Sequence, residues 1–309
     1  MPPEKTDETI RPEEAAERIA KAGICCELCG SAKAKRLYAS LPKVYECENC
    51  RFIFSFPQPS LDELKELYAE SYFISRQSVA SGYDDYIRDE ENIRRTFQKR
   101  FRTIDRFQTK PGRVLDIGCA AGFFLSVARE RGWDVKGIEI SEYAANYARK
   151  SGLDVHCGPL ETFNPAGEKL FDVVTLWDVI EHVRSPRSDL EKVSRLLKPG
   201  GWLVLATPDV DSLTHWLFRD RWMGFKDDEH LFFFSKKTLT QLLDQCGFQV
   251  VLSKFEGKYV SLDLFKRRIG CYSKFLSSFL RKTLQPKAGK STDFYVNPFD
   301  IRLFIAQKK

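Results

Sequence analysis

Residues 114–124, reading Val-Leu-Asp-Ile-Gly-Cys-Ala-Ala-Gly-Phe-Phe, constrain the fold more than any other stretch of this chain. Val114 to Ile117 is a mostly apolar run of strand length, and a helix is expected to open near Phe123. Gly118 and Gly122 let the backbone between them turn sharply and approach a ligand where a Cβ would intrude, and the free N–H groups of the following helix face that ligand. Strand, glycine turn and helix together make the cofactor loop of an open α/β sheet. Two glycines in such a turn are a weak signal alone, because many serve packing only. The neighbouring sequence strengthens it. Twenty-three residues after Asp116, the short strand expected at 135–138 ends in Glu139, where a carboxylate can accept from both hydroxyls of a ribose. Ser141 then caps the next helix.

With these two motifs the chain resembles the class I S-adenosylmethionine-dependent methyltransferases, in which an acidic residue precedes a glycine-rich turn and a second acidic residue ends the next strand. Further landmarks follow in that family's order. Phe171-Asp-Val-Val-Thr-Leu-Trp-Asp178 reads as a fourth strand, Leu197-Lys-Pro-Gly-Gly201 as a helix stop, and Trp202-Leu-Val-Leu-Ala-Thr-Pro208 as a fifth strand. A dinucleotide-binding dehydrogenase is the competing reading, but its loop normally lacks an acidic residue two positions before the first glycine, where Asp116 stands here. The resemblance implies an α/β, Rossmann-like fold with a seven-stranded, mostly parallel sheet, and S-adenosyl-L-methionine as cofactor. It assigns Asp116, Gly118, Ala120 and Gly122 to the methionine end of the cofactor, Glu139 to the ribose, and Ile140 and Leu160 to the adenine. Asp178 is divided between the methionine amino group and a metal. Ala120 stands where the family usually has glycine, the smallest departure possible.

Cys26-Glu-Leu-Cys29 and Cys47-Glu-Asn-Cys50, separated by seventeen residues, have the spacing of a four-thiolate zinc site. A closed set of four cysteines leaves no open coordination position, so the metal is expected to hold the module together rather than to catalyse. Cys25 competes with Cys26 as first ligand, and the two-residue interval shared with the second pair favours Cys26. Nine cysteines, an odd number, point to thiols and metal in a reducing compartment rather than to a disulfide framework. The ribbon resembles the N-terminal zinc module of nucleotide-sugar C-methyltransferases. Their longer C-terminal domain has no counterpart in these 309 residues, which turns the expectation from carbon towards oxygen methylation.

The length accommodates one α/β domain of roughly 200 residues and a smaller module. The expected order is a loosely ordered segment 1–23 with a short helix at 12–22, a zinc ribbon at 24–58, a helical linker or lid at 59–109, and a cofactor-binding domain at 110–309. Within the linker, helices are expected at 61–70 and 84–107. Ile93, Phe97, Phe101, Ile104 and Phe107 make an apolar stripe on the second, while Arg88, Arg94, Arg95, Lys99, Arg100, Arg102 and Arg106 read as its solvated face. Tyr83 and Tyr86 are expected to cover the cofactor. Beyond the fifth strand the expectation is a helix at 235–245 and strands at 248–255 and 300–306, with an insertion at 256–299. The net charge is +6, but residues 258–290 hold nine Lys or Arg and one Asp, so the excess belongs to that insertion. No apolar run approaches the ~18 residues of a membrane span, and the N-terminus is charged rather than signal-like, so the cytoplasm is the expected location.

Methyl transfer from a sulfonium needs a nucleophile held in line with the methyl group, and a hydroxyl nucleophile needs its proton removed. Trp177-Asp178-Val-Ile-Glu181-His182 leaves the fourth strand at the edge where ligands gather. A helical turn there would put Asp178, Glu181 and His182 on one face, and His230 is the natural fourth member of the group. The stretch resembles the ubiquinone-pathway O-methyltransferases and the small-RNA terminal methyltransferases, where Glu-x-x-Glu-His and a later histidine bind a metal. The resemblance implies Mg²⁺ or another divalent ion at Asp178, Glu181, His182 and His230. Without metal, His182, His230 and Asp178 are the candidate catalytic residues, a histidine acting as base. The leading expectation is methylation at oxygen of a small-molecule, glycan or lipid-linked acceptor, the basic insertion holding a phosphate or resting on an anionic membrane. An RNA 2′-hydroxyl or protein methyltransferase that uses the ribbon as a reader is the second reading. It lacks the Asn-Pro-Pro-Tyr or Asp-Pro-Pro-Tyr of amino-directed enzymes and the Pro-Cys of cytosine-C5 enzymes. A non-catalytic cofactor-binding protein is the third.

Overall fold

The computed structural model describes residues 25–68, 73, 86–167, 169–226, 228–273, 278 and 293–309. The expected segment 1–23 with its helix, Tyr83, and Phe275, Phe279 and Leu280 of the insertion lie outside the described residues. In chain order the described strands are β1 Ala34–Arg36, β2 Val44–Cys47, β3 Ile53–Ser55, β4 Arg113–Ile117, β5 Asp134–Glu139, β6 Val155–Cys157 and β7 Phe171–Trp177. They continue with β8 Leu197–Pro208, β9 Phe232–Phe233, β10 Phe248–Phe255, β11 Lys258–Ser261, β12 Asp293–Val296 and β13 Ile301–Lys308.

Seven of them form the main sheet in the order β10-β13-β8-β7-β4-β5-β6, with β13 alone reversed, so the expected seven-stranded, mostly parallel sheet is present. β7 reads as an almost unbroken apolar run because both of its faces are covered, as parallel strands require. Helices Phe123–Glu130, Glu142–Lys150 and Pro186–Leu196 connect the parallel strands, and Ser141 and Ser185 cap the latter two with side-chain oxygens that accept from Ala144 and Ser188 N–H. The order of the sheet changes direction at β4, which puts the ends of β4, β5 and β7 beside a crevice.

Helix Glu90–Ile104 lies against this sheet through Ile93, Phe97, Phe101 and Ile104, as its stripe predicts. Phe101 stacks on Phe124 with ring centroids 5.1 Å apart, and Phe97 meets both Phe124 and Trp177 edge-on or tilted. Each such buried ring contributes roughly 1.5–3 kcal/mol. The helix begins six residues later than expected because Asp89 is its N-cap and Glu90 and Glu91 occupy the first turn. The opposite face is not simply solvated. Arg95 lies over the ring of Tyr259 at 4.1 Å, Lys99 over that of Tyr295 at 3.7 Å, and Thr96 Oγ1 accepts from Tyr259 N–H at 2.9 Å. The antiparallel β11–β12 pair of the insertion thus covers part of the basic face. Helix Leu262–Tyr272 stands between those two strands in sequence.

Residues 197–201 are not a loop after a helix stop. Leu197 already pairs with Phe171, and β8 passes through a bulge before it aligns with the rest of β7. At the N-terminal end, Ser60 and Glu63 close a reciprocal capping box on helix Leu61–Leu67. The sheet of the cysteine-bearing segment has the order β1-β2-β3-β9, so its fourth strand comes from residues 232–233, far along the chain.

Candidate functional site

A cavity of about 460 Å³ opens beyond the C-terminal ends of β4, β5 and β7. The loop after β4 shapes one end. Gly118 and Ala120 both take positive φ, +70° and +48°, and the N–H groups of Gly118 and Cys119 donate to Ile138 O at 2.8 and 3.0 Å, which pins the loop to β5. A Cβ on Gly118 would sit 2.5 Å from Val179 Cγ2, so the tight turn needs glycine there. Glu139 is buried, and its carboxylate accepts from Ala120 N–H and from Ser141 N–H, each at 2.8 Å. It thereby ties the glycine loop to the next helix while each oxygen keeps a lone pair for a ligand. Asp116 is buried and accepts from Thr175 Oγ1 at 2.6 Å. Burial raises both carboxyls above their ordinary range, Asp116 well above it.

Gly118, Ala120, Ile140, Gly158 and Leu160 also line the cavity, as does Tyr86, which stacks on Phe123 at 5.4 Å. Gly122 does not line it. It precedes helix Phe123–Glu130 at φ +79°, and a Cβ there would come within 2.4 Å of Leu153 Cδ1, so its task is close packing between helices.

The other end is built by the segment after β7. Asp178 has φ +55° and donates its N–H to Ala206 O at 2.9 Å, and the chain then closes a turn, His182 N–H to Val179 O at 2.9 Å, instead of a helix. The helical spacing expected for Asp178, Glu181 and His182 is therefore corrected. Among the described residues, Glu181, His182 and His230 bring one ligand atom each within 4.8 Å of the others, and Asp178 is not part of that group. Asp178 lines the cavity separately.

Glu181 accepts from Thr207 Oγ1 at 2.9 Å through Oε2, while its buried Oε1 has no hydrogen-bond partner among the described residues and lies 4.0 Å from His182 Nε2. His182 Nδ1 is 2.9 Å from Glu229 O, and His230 Nδ1 is 2.9 Å from Gly224 O. A carbonyl oxygen can only accept, so each Nδ1 carries the ring proton and each Nε2 is a bare lone pair. Tyr68 Oη also lies 2.8 Å from His182 Nδ1. The two rings meet edge to face with centroids 4.6 Å apart. Burial holds His182 down at about 4 and His230 well below the imidazole range, and burial next to Asp178 pushes Glu181 up to about 8. Two neutral imidazoles and a carboxyl with converging lone pairs can take up a proton or hold a divalent cation.

Several lining residues escaped the sequence reading. Arg100, expected on the solvated face of its helix, is instead buried and lies over Trp177 at 4.8 Å. Its place was legible, since it stands seven residues after Ile93 and three after Phe97 and so shares their face. Lys258 and Asp300 come from the insertion and its far edge, and Tyr68 from the N-terminal helix region. No local pattern marks them. Burial, beside Arg268, lowers Lys258 to about 7.

The four cysteines of the two pairs also meet. Cys26 Sγ and Cys50 Sγ are 3.5 Å apart, Cys29 Sγ and Cys47 Sγ 3.6 Å, and Cys25 is exposed outside the group. Tetrahedral zinc with bonds of about 2.3 Å requires sulfurs about 3.8 Å apart, so this donor set fits that ion.

The family model described as a methyltransferase domain matches residues 88–253, just over half of the 309. The chain is 34% identical over 101 residues to the ubiquinone biosynthesis O-methyltransferase of Bordetella avium (strain 197N), covering 31% of this chain and 42% of that protein. It is 36% identical over 115 residues to the protein of the same description from Thiobacillus denitrificans, covering 35% and 50%. The chain thus spans half or less of the length of these curated relatives. Magnesium protoporphyrin IX methyltransferase of Synechocystis PCC 6803, solved with bound SAH, is similar in structure, with TM-score 0.53 at 14% identity over 81% of this chain and 100% of that one. At that identity the likeness speaks for the fold.

Proposed function

Because the chain belongs to the methyltransferase-domain family, we propose that it transfers the methyl group of S-adenosyl-L-methionine to an oxygen of a small-molecule acceptor. The observation that carries the choice of oxygen is the convergence of one ligand atom each from Glu181, His182 and His230 in the cavity that also contains the Asp116, Gly118 and Glu139 cradle. The description of the relatives as O-methyltransferases supports it.

In this reading Glu139 accepts from the ribose hydroxyls, Ile140 and Leu160 flank the adenine, and Asp116 and Asp178 face the methionine end. An acceptor hydroxyl enters from the histidine side. As its oxygen bonds to the methyl carbon, the carbon–sulfur bond breaks and the hydroxyl proton passes to Nε2 of His182 or His230, whose lone pair is free because each Nδ1–H is held by a carbonyl. Glu181, His182 and His230 also fit a divalent cation. When bound, that ion would lower the acceptor's pKa. Two imidazoles and one carboxylate suit a transition ion better than Mg²⁺. Cys26, Cys29, Cys47 and Cys50 hold a structural Zn²⁺.

The exposed Leu213, Trp216 and Leu217 stand beside this cavity, since Thr214 on the same helix lines it, and exposed Arg219 and Arg221 follow them. An apolar edge with flanking cations suits an acceptor with a lipid chain at an anionic surface. None of the described helices is long and apolar enough to cross a membrane.

The test is to incubate the protein with methyl-labelled S-adenosylmethionine and a cell extract divided into metabolites, lipids, RNA and protein. Label in the metabolite or lipid pool, lost in His182→Ala, is the expected result. Label only in RNA or protein would overturn the acceptor class, and no label in any pool would leave a cofactor-binding protein.

A further inference from the structure

The carbonyls that fix both histidine tautomers, Gly224 O and Glu229 O, belong to one loop, residues 222–231. The cysteine-bearing segment holds that loop from outside. Ser55 Oγ donates to His230 O at 2.9 Å, entirely buried, and Ser55 N–H donates to Leu231 O at 2.8 Å. Immediately afterwards Phe232 and Phe233 pair with Phe54 and Ile53, and Phe52 stacks on Phe232 at 5.7 Å with the planes 7° apart. Lys43 pairs with Asp228 at 2.8 Å, and Tyr38 meets Phe225 edge to face at 5.9 Å. From inside the loop, Leu231 N–H donates to Glu181 O at 2.7 Å, so the same backbone also fixes the carboxyl-bearing turn.

The grip of β3 depends in turn on the cysteines. Cys47 ends β2 and Cys50 lies in the turn to β3, which is closed by Arg51 N–H donating to Cys47 O at 2.9 Å and Cys47 N–H donating to Phe52 O at 2.8 Å. Ser55 follows Cys50 by five residues. A metal on the four thiolates therefore clamps one end of the strand whose other end carries the contacts to His230 and Leu231.

We propose that the four-cysteine module is a brace for the His182 and His230 pair rather than a reader of macromolecules, with Ser55 as the positioning residue that transmits its order to the loop. This rests on the reading of the histidines and of the zinc given above. Loss of the metal frees β3, the loop relaxes, Gly224 O and Glu229 O leave the Nδ1 atoms, and each imidazole becomes a mixture of tautomers in which Nε2 is part of the time protonated. Apart from Asp178, whose own N–H is anchored on Ala206 O, the cradle for the cofactor is built from β4, β5 and their loops and has no part in this chain of contacts. Cofactor affinity is therefore separable from the state of the module.

The experiment uses the full chain labelled with ¹⁵N-histidine. The chain has four histidines, and His156, which packs against Phe163 and bonds Thr162 away from the module, is the internal reference. Long-range ¹⁵N–¹H correlations at pH 8 are recorded with zinc bound and after its removal, alongside calorimetric S-adenosylhomocysteine binding. With zinc, His182 and His230 are expected as single Nδ1–H tautomers. Without it both become averaged, His156 is unchanged, and S-adenosylhomocysteine affinity stays within about twofold.

Ser55→Ala supplies a second route that keeps the thiolates, so it decides the matter if stripping zinc unfolds the chain. Loss of one buried hydrogen bond, about 0.5–1.5 kcal/mol, corresponds to a fall of about two- to twelvefold in methyl-transfer rate with KM for S-adenosylmethionine unchanged. Its His230 signal should shift in the same direction. Unaltered tautomers after zinc loss, unaltered tautomers and rate in Ser55→Ala, or a protein that contains no zinc would each overturn the brace. Tautomers that follow zinc in a protein that methylates nothing would retain the brace and overturn the proposed reaction.

Discussion

Single positions in the cavity are the most direct places to test the assignment, because each carries one identifiable interaction. Ala120 holds φ +48°, a left-handed conformation that costs an ordinary residue about 1–2 kcal/mol and glycine almost nothing. Ala120→Gly is accordingly expected to stabilise the fold by about 0.5–1 kcal/mol once the greater freedom of glycine in the unfolded chain is subtracted, and a lower thermal midpoint would contradict this. Glu139 ties Ala120 N–H to Ser141 N–H and faces the proposed ribose. Glu139→Ala should weaken S-adenosylmethionine binding by about thirtyfold or more in calorimetry, the worth of one or two charge-assisted hydrogen bonds, and equal affinity would remove it from the site. Lys258 is lowered to about 7 by burial, from an unfolded value near 10.4. The folded state then binds fewer protons than the unfolded one across pH 7–10.4, so Lys258 makes stability rise with pH in that window, and its full penalty is present below pH 7. Lys258→Met should flatten that part of the stability profile, and an unchanged slope would show that the burial penalty lies elsewhere. Gly118 was legible in the sequence because the turn after β4 needs glycine there, and Asp116 and Glu139 because they stand, in order around it, where the resemblance implies acidic residues. Lys258 and Tyr68 were not, since they arrive from distant segments whose placement depends on tertiary packing.

At the scale of whole elements, regular periodicity was read well and short irregular turns were read poorly. The stripe on helix Glu90–Ile104 predicted its buried face, and β4, β5, β7 and β13 lie within one or two residues of expectation. Phe101 is 1% exposed and stacks on Phe124, so Phe101→Ala should cost about 3–5 kcal/mol in urea or thermal unfolding. A loss below about 1 kcal/mol would mean that this helix is not packed on the sheet as described. The segment after β7 shows the opposite case. A helical spacing of Asp178, Glu181 and His182 is natural on paper, but the positive φ of Asp178 turns the chain so that Glu181 and His182 face His230 without it. No residue in that segment announces the turn, because the hydrogen bonds that fix it come from Ala206, Thr207 and Leu231 on other elements. The two-residue strand β9 was equally invisible, being too short to show a period and defined only by its partner β3.

For the molecule as a whole, the distribution of charge and apolar surface matters more than the net charge of +6. Of the large apolar side chains that remain exposed among the described residues, Leu213, Trp216 and Leu217 are 63%, 74% and 60% accessible and share one helix of six residues, while the others are scattered. Phe218 at the end of that helix stacks on Tyr272 at 3.7 Å, and Tyr272 lines the cavity, so the apolar edge adjoins the proposed acceptor entrance. Burial of the indole and the leucine in a lipid interface would contribute a few kcal/mol, roughly 25 cal/mol for each Å² of apolar surface removed from water. Exposed Arg219 and Arg221 would add about 1 kcal/mol each near an anionic surface. The double variant Trp216→Ser, Leu217→Ser should therefore lose about tenfold or more of its sedimentation with phosphatidylglycerol vesicles, with unchanged S-adenosylhomocysteine affinity because the cofactor cradle lies on other elements. Raising salt should weaken the parent more on anionic vesicles than on neutral phosphatidylcholine. Equal sedimentation of parent and variant would remove this edge from any lipid contact. Binding lost equally to neutral and anionic vesicles would assign the contact to the apolar residues alone and leave the arginines without a role.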